Sequence, residues 1–154
     1  KIIEQKDFIF LISLMIVDGT DNAEYFIYKY NISNNDKKRI RFLSNSFYKN
    51  LKKDTFTEKN LWKIFYLQGK DHLNDLINFK LLENKKLDKK LIKLKEFFQT
   101  KEVPKFEIKA NTLIEKYNYK EGKELGNKLS EIEEFWIENS FKISDKDLEK
   151  IVKN

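Results

Sequence analysis

The fold class is decided by residues 123–139, which read KELGNKLSEIEEFWIEN. Apolar side chains recur in this stretch at every third or fourth position, at Leu125, Leu129, Ile132 and Trp136. That spacing places the four side chains on one face of an α-helix, with the charged residues on the other faces. The stretch therefore predicts a long helix that buries one face against neighbouring elements.

The same spacing occurs elsewhere in the 154 residues. It recurs at Ile40, Leu43, Phe47 and Leu51, and at Leu73, Leu76 and Ile77. The chain contains four glycines and one proline, whereas β-rich domains use many of both in their turns. We therefore predict an all-α fold in which a multi-helix body is followed by a small helical tail subdomain.

Residues suited to capping mark where several helices begin. Ser33 and Asp36 have the spacing of a capping box, and Thr57, Asp88 and Ser144 are suitable N-caps. Besides 123–139, the predicted helices cover 2–17, 21–30, a segment that starts at 33–36, 57–69, 70–82, 88–98, 111–117 and 144–152.

The predicted boundary between body and tail lies at residues 100–107. This segment contains Pro104, the single proline, and the residue before a proline favours extended backbone. We predict an extended connector here, with the body in residues 1–100 and the tail in 101–154.

The residues needed for most catalytic and metal sites are scarce. The chain has one histidine and no cysteine, so disulfides, thiolate zinc sites, a cysteine nucleophile and a Ser-His-Asp triad have little support. Asp71, His72 and Asp75 lie close together, but a metal phosphohydrolase site needs more histidines, and a solvated polar face is the better interpretation. We predict no catalytic or metal-binding residue in this chain, and the lack of cysteine agrees with a cytoplasmic protein.

A basic cluster between residues 37 and 53 is the first candidate for RNA contact. The chain carries a formal net charge of +6, but only two of its 31 basic residues are arginine, so general lysine richness is a weak signal. In the cluster, a helical wheel places Phe42 among lysines, opposite the apolar face. The ring could stack on a base while the cations bind phosphates, or it could pack against another helix. The candidate contacts are Lys38, Arg39, Arg41, Phe42, Lys49 and Lys53.

The turn before the long helix is the second candidate. Helix N-termini present free backbone N–H groups that bind phosphate, and glycine allows close approach. The candidate contacts are Lys120, Gly122, Lys123 and Lys128, although Glu121 and Glu124 oppose an anion. A purely structural turn explains the same residues equally well.

Several segments after residue 103 occur in a familiar order. They are Val103-Pro104-Lys105-Phe106, Leu113-Ile114, the turn Asn118 to Gly126, and Glu133-Glu134-Phe135-Trp136-Ile137-Glu138 followed by Phe141. Over roughly residues 103–150 this order resembles the C-terminal segment of bacterial CCA-adding tRNA nucleotidyltransferases and related poly(A) polymerases. The chain departs from the family pattern where Glu121 and Lys123 replace two turn prolines and Asn118 replaces a glycine. Asparagine tolerates the left-handed backbone that this glycine would supply.

The resemblance implies a function for a larger enzyme and a role for this chain. The enzyme would transfer CMP and AMP from CTP and ATP to a tRNA 3′ hydroxyl with Mg²⁺, using a catalytic head and neck that are absent here and expected upstream. This chain would hold the acceptor and T arms of tRNA, without a cofactor of its own and without a membrane. CCA addition, partial CCA addition and poly(A) synthesis are not distinguished. The alternative is a helical protein–protein interaction module without RNA-related activity.

Overall fold

A computed structural model describes residues 7–48, 56–84 and 87–153. Within these ranges the regular structure is helical, which confirms the all-α prediction. The helices are α1 (Phe8–Ile16), α2 (Asn22–Lys29), α3 (Asn34–Tyr48), α4 (Glu58–Gln68), α5 (Lys70–Glu83), α6 (Lys89–Gln99), α7 (Ala110–Tyr117), α8 (Lys123–Glu138) and α9 (Asp145–Lys153). In the part of the chain described here, no helix has both the length and the apolar character needed to span a membrane.

The predicted caps are confirmed. Asp36 N donates to Ser33 Oγ at 3.1 Å, and Ser33 Oγ donates to the Asp36 carboxylate at 2.7 Å. Ser144 and Asp147 make the same reciprocal pair at the start of α9. Thr57 accepts from the backbone of α4 and Asp88 from that of α6. Each such cap stabilises its helix by about 1 kcal/mol, which explains why local sequence located these helix starts well.

The first compact unit extends through Val103, and α5 lies at its centre. Two apolar clusters share this helix. Phe79 of α5 packs with α1, α2 and α3, while Leu73, Ile77 and Leu81 of α5 pack with α4 and α6. Because α5 is buried on several faces, a polar side chain on it is far more often enclosed than on a surface helix.

The second compact unit begins at Pro104, inside the predicted connector. Its core joins α7, α8 and α9 through Leu113, Leu125, Ile132, Leu148 and Val152. The ring of Trp136 lies 5.3 Å from that of Phe106 and 4.9 Å from that of Phe141, measured between centroids.

The turn between α7 and α8 requires a left-handed residue. Asn118 ends α7 with φ 57° and ψ 29°, as predicted for an asparagine that stands in a glycine position. Its backbone N–H donates to the carbonyl oxygen of Ile114, and that of Tyr119 donates to Leu113. These bonds satisfy carbonyl groups that the end of α7 would otherwise leave unpaired.

Candidate nucleic-acid interface

A cleft of about 530 Å³ opens in the first unit between α3 and the facing parts of α4 and α5. Leu67 and Gln68 of α4 and His72 of α5 form one side of the cleft. The α3 side is formed by Asn35, Lys38, Arg41, Phe42 and Asn45. Spacings of three and four residues place these five side chains along one face of α3. Three predicted RNA contacts, Lys38, Arg41 and Phe42, therefore lie together in one concavity.

Lys38 is the freest cation of the cleft. Its side chain is exposed, and it forms no hydrogen bond or ion pair with a residue in the described ranges. The side-chain amides of Asn35, Asn45 and Gln68 each offer donors and an acceptor beside it. The cleft therefore combines one available positive charge with neutral groups that can hydrogen-bond to sugars or base edges.

Phe42 lies in the cleft wall and not on an outer face. Its ring meets the imidazole of His72 edge-on, with centroids 5.3 Å apart and planes at 81°. The outward position predicted for Phe42 is thus corrected, and the alternative of packing against a neighbouring helix describes it. Burial lowers the pKa of His72, with Asp75 opposing this effect and Arg39 adding to it. His72 is therefore mainly neutral at pH 7 and adds no positive charge to the cleft.

Arg41 lines the cleft, but its guanidinium already forms an ion pair with Glu24. Its Nε donates to Glu24 Oε1 at 2.9 Å and its Nη2 to Glu24 Oε2 at 2.9 Å. The hydrogen bond from Arg41 lowers the pKa of Glu24. Both side chains are exposed, and solvent screening makes such a pair weak. A phosphate could therefore compete with Glu24 for Arg41 at small energetic cost.

Arg39 is removed from the candidate RNA surface. Only 8% of the residue is exposed, since its Nε and Nη2 each donate to Asp75 at 2.8 Å and Nη2 also donates to Asp7 at 2.6 Å. The hydrogen bond with Asp75 raises the pKa of Arg39 further above its ordinary value, against the effect of burial. The prediction that Arg39 contacts RNA is corrected because two carboxylates enclose its guanidinium inside the unit.

Asp75 also corrects the sequence interpretation of α5. It is 4% exposed, so the solvated face predicted for Asp71, His72 and Asp75 is wrong for this residue. The available signal was the rarity of arginine combined with the apolar character of α5 around its circumference. A carboxylate at a buried position of such a helix needs a strong partner, and guanidinium is the group that binds carboxylate through two nitrogens.

The second candidate RNA contact, the turn before α8, lies in the second unit, and only some of its predicted contact residues are available. Lys120, Gly122 and Lys123 are exposed at the turn before α8. The prediction that Lys128 contacts RNA is corrected, because its Nζ donates to the carbonyl oxygen of Ile151 at 2.9 Å and pairs with Glu131 at 2.8 Å. Lys128 thereby links α8 to α9, and the turn itself stays open to both a structural and a phosphate-binding interpretation. Lys49 and Lys53, predicted for the first candidate, lie outside the described residues.

Comparisons with protein-family models, with curated proteins and with solved structures give no match for this chain. The resemblance to CCA-adding enzymes therefore rests on the segments quoted above.

Proposed function

We propose that the chain binds RNA through the α3–α5 cleft, as the tRNA-binding C-terminal region of a CCA-adding tRNA nucleotidyltransferase or a related poly(A) polymerase. The observation that carries the proposal is the shared cleft of Lys38, Arg41 and Phe42. Its chemistry suits a backbone contact better than a small-molecule site, since it is open and its free charge is a single ammonium group.

RNA helices are recognised mainly through phosphates and 2′-hydroxyls across a shallow groove. Lys38 is suited to a phosphate, and the amides of Asn35, Asn45 and Gln68 are suited to 2′-hydroxyls, which both donate and accept. The Phe42 ring in the cleft wall supplies an apolar surface against a ribose. Such contacts position an RNA without selecting its sequence, as holding a tRNA arm requires.

The second unit supports the proposal in a different way. The segments that carry the resemblance build its core and its turn, with Phe106 and Phe141 both in contact with Trp136 and with Asn118 in the left-handed position. In the proposed enzyme, Mg²⁺, CTP and ATP would be held by the catalytic head, and this chain would position tRNA in the cytoplasm.

A protein-interaction module is the second candidate function, and α1 favours it. Phe8 and Met15 are 70% and 81% exposed, and Leu11 lies between them on the same face. The nine residues of α1 include no charged side chain, which is unusual for a surface helix. A partner that covers α1 would bind independently of salt, whereas RNA binding at the cleft would weaken as salt rises.

The test is anisotropy of a labelled tRNA transcript titrated with the chain at several salt concentrations. Lys38→Glu is expected to weaken binding about tenfold and to lower the salt slope by about one, since one phosphate contact is lost. Lys93→Glu is the matched control, because Lys93 is an exposed helical lysine outside the cleft and the charge change is the same. Equal effects of the two substitutions, or no tRNA binding at low salt, would contradict the proposal.

A further inference from the structure

Helix α2 and the residue after it carry three exposed tyrosines, of which Tyr30 packs against Phe26 with ring centroids 4.7 Å apart. The buried side chains of α2 are Ala23 and Ile27, which face the first apolar cluster. Tyr25 and Tyr28 are 59% and 88% exposed, and Tyr30, just after the helix, is also exposed. Tyr25 and Tyr28 stand three residues apart and so share a face of α2. A large aromatic side chain gains nothing in stability from such exposure, so these rings are free to contact something else.

A cation accompanies the rings. Lys29 Nζ lies 5.6 Å from the ring centroids of both Tyr25 and Tyr30. Exposed aromatic faces beside an ammonium group are the elements of a surface that binds single-stranded nucleic acid, in which bases stack and phosphates meet cations. The rings differ in this respect from the exposed α1 face, which consists of Phe8, Leu11 and Met15 and carries no charge.

The tyrosine surface continues from the cleft. Glu24 of α2 binds Arg41, and Arg41 lines the cleft. Glu24 and Tyr28 are one helical turn apart, so Tyr28 follows the Glu24–Arg41 pair along α2. Glu24 is thereby paired, while Asp21 lies one turn before Tyr25, at the opposite end of α2. A phosphate backbone is therefore expected to pass on the Lys29 side of the rings.

We infer that Tyr25 and Tyr28 form a stacking platform for a single-stranded RNA segment that continues from the RNA held in the cleft. This inference rests on the proposed function and adds the kind of RNA that the surface takes. The net charge of +6 and Lys29 attract the backbone, and the rings accept bases of any identity. The platform would make the chain prefer an RNA with a helical part joined to an unpaired strand.

The experiment compares three labelled probes: a hairpin, the same hairpin with an unpaired uridine tail, and the uridine strand alone. Tyr25→Ala combined with Tyr28→Ala is expected to weaken binding of the two probes with unpaired uridines by about tenfold and to leave the plain hairpin unchanged. Tyr25→Phe combined with Tyr28→Phe keeps the rings and is the matched control, expected to stay within about twofold of the parent chain. Tyr28→Ala alone provides a second variant with minimal risk to folding, because Tyr28 is 88% exposed.

The outcomes separate the inference from the proposed function. Suppose that hairpin binding depends on Lys38, but that the probes with unpaired uridines bind both alanine variants as well as the parent chain. The platform would then be wrong, and the proposed RNA binding at the cleft would stand. Absence of binding to all three probes overturns both. If the alanine variants instead change the sedimentation of the chain without RNA, the tyrosines form a protein interface and the RNA platform is wrong.

Discussion

Arg39 and Arg41 stand two residues apart on α3 and make nearly the same ion pair in opposite surroundings. Each arginine uses Nε and Nη2 to bind both oxygens of one carboxylate, at 2.8 Å to Asp75 and 2.9 Å to Glu24. Asp75 lies on the central helix and is buried, whereas Glu24 lies on α2 in solvent. The distances within the two pairs are nearly equal, so burial, together with the extra bond from Arg39 to Asp7, distinguishes what each arginine contributes.

The buried Arg39–Asp75 pair matters for stability because removing one partner would leave the other charge buried and unpaired. An unpaired charge inside a protein carries a large desolvation penalty, and water cannot replace the missing partner. The exposed pair exchanges readily with water and salt, and its contribution is small. Arg39 therefore holds α3 to α5 and to the start of α1. Arg41 places a guanidinium at the cleft, where another anion can replace Glu24 as its partner.

The largest expected effect comes from breaking the buried pair. Arg39→Ala is expected to lower the free energy of unfolding by about 3–5 kcal/mol, because Asp75 is left buried without its partner. Urea unfolding followed by circular dichroism measures the change. Arg41→Ala is the control on the same helix and is expected to lower that free energy far less, because solvent already screens the pair of Arg41 with Glu24. Similar losses from the two substitutions would show that burial does not distinguish the pairs.

The same two arginines show how far the sequence could be interpreted. Caps, the left-handed Asn118 and the helix positions after residue 20 depend on residues within one turn of each other, and these predictions are confirmed. The first helix, predicted from residue 2, instead begins at Phe8, because Asp7 has an extended backbone and caps it; residues 2–6 lie outside the described residues. The pairing of Arg39 with Asp75 spans 36 positions and depends on how α3 packs on α5. A helical wheel assumes one buried face, but α3 meets α1 and α2 as well as α5. For this reason the wheel placed Phe42 outside and treated Arg39 and Arg41 alike.

Asp7 provides a smaller test through pH. Its carboxylate caps α1 by accepting from Phe10 N at 3.1 Å and also accepts from Arg39. Burial raises the pKa of Asp7, but the hydrogen bonds from Arg39 and Phe10 outweigh burial and lower it below 3.8. An acid with a lowered folded-state pKa contributes stability above its unfolded pKa and loses it as pH falls through the folded value.

Asp7→Asn is therefore expected to destabilise the chain at pH 7 by about 1 kcal/mol, a modest figure because Asp7 is partly exposed. Asparagine still caps a helix, so the substitution removes mainly the charge that faces Arg39. The difference from the parent chain is expected to shrink as pH falls below 3.8 and to vanish only below the lowered folded-state pKa of Asp7, where the carboxyl group is protonated in the folded chain as well. Urea unfolding of both chains across that range measures it, and a difference that persists in acid would assign the effect to the cap.

The smallest expected effect comes from breaking the exposed pair of Arg41 with Glu24. Glu24→Gln removes the carboxylate that holds Arg41 and frees the guanidinium at the cleft. Because the exposed pair is weak, affinity for tRNA is expected to rise only about two- to fivefold, with a steeper salt dependence. Glu96→Gln is the matched control, since Glu96 is exposed on α6 and outside the cleft. An increase in tRNA affinity that is equal in both variants would reflect net charge alone. An increase confined to Glu24→Gln would show that Arg41 binds RNA once its weak partner Glu24 is removed.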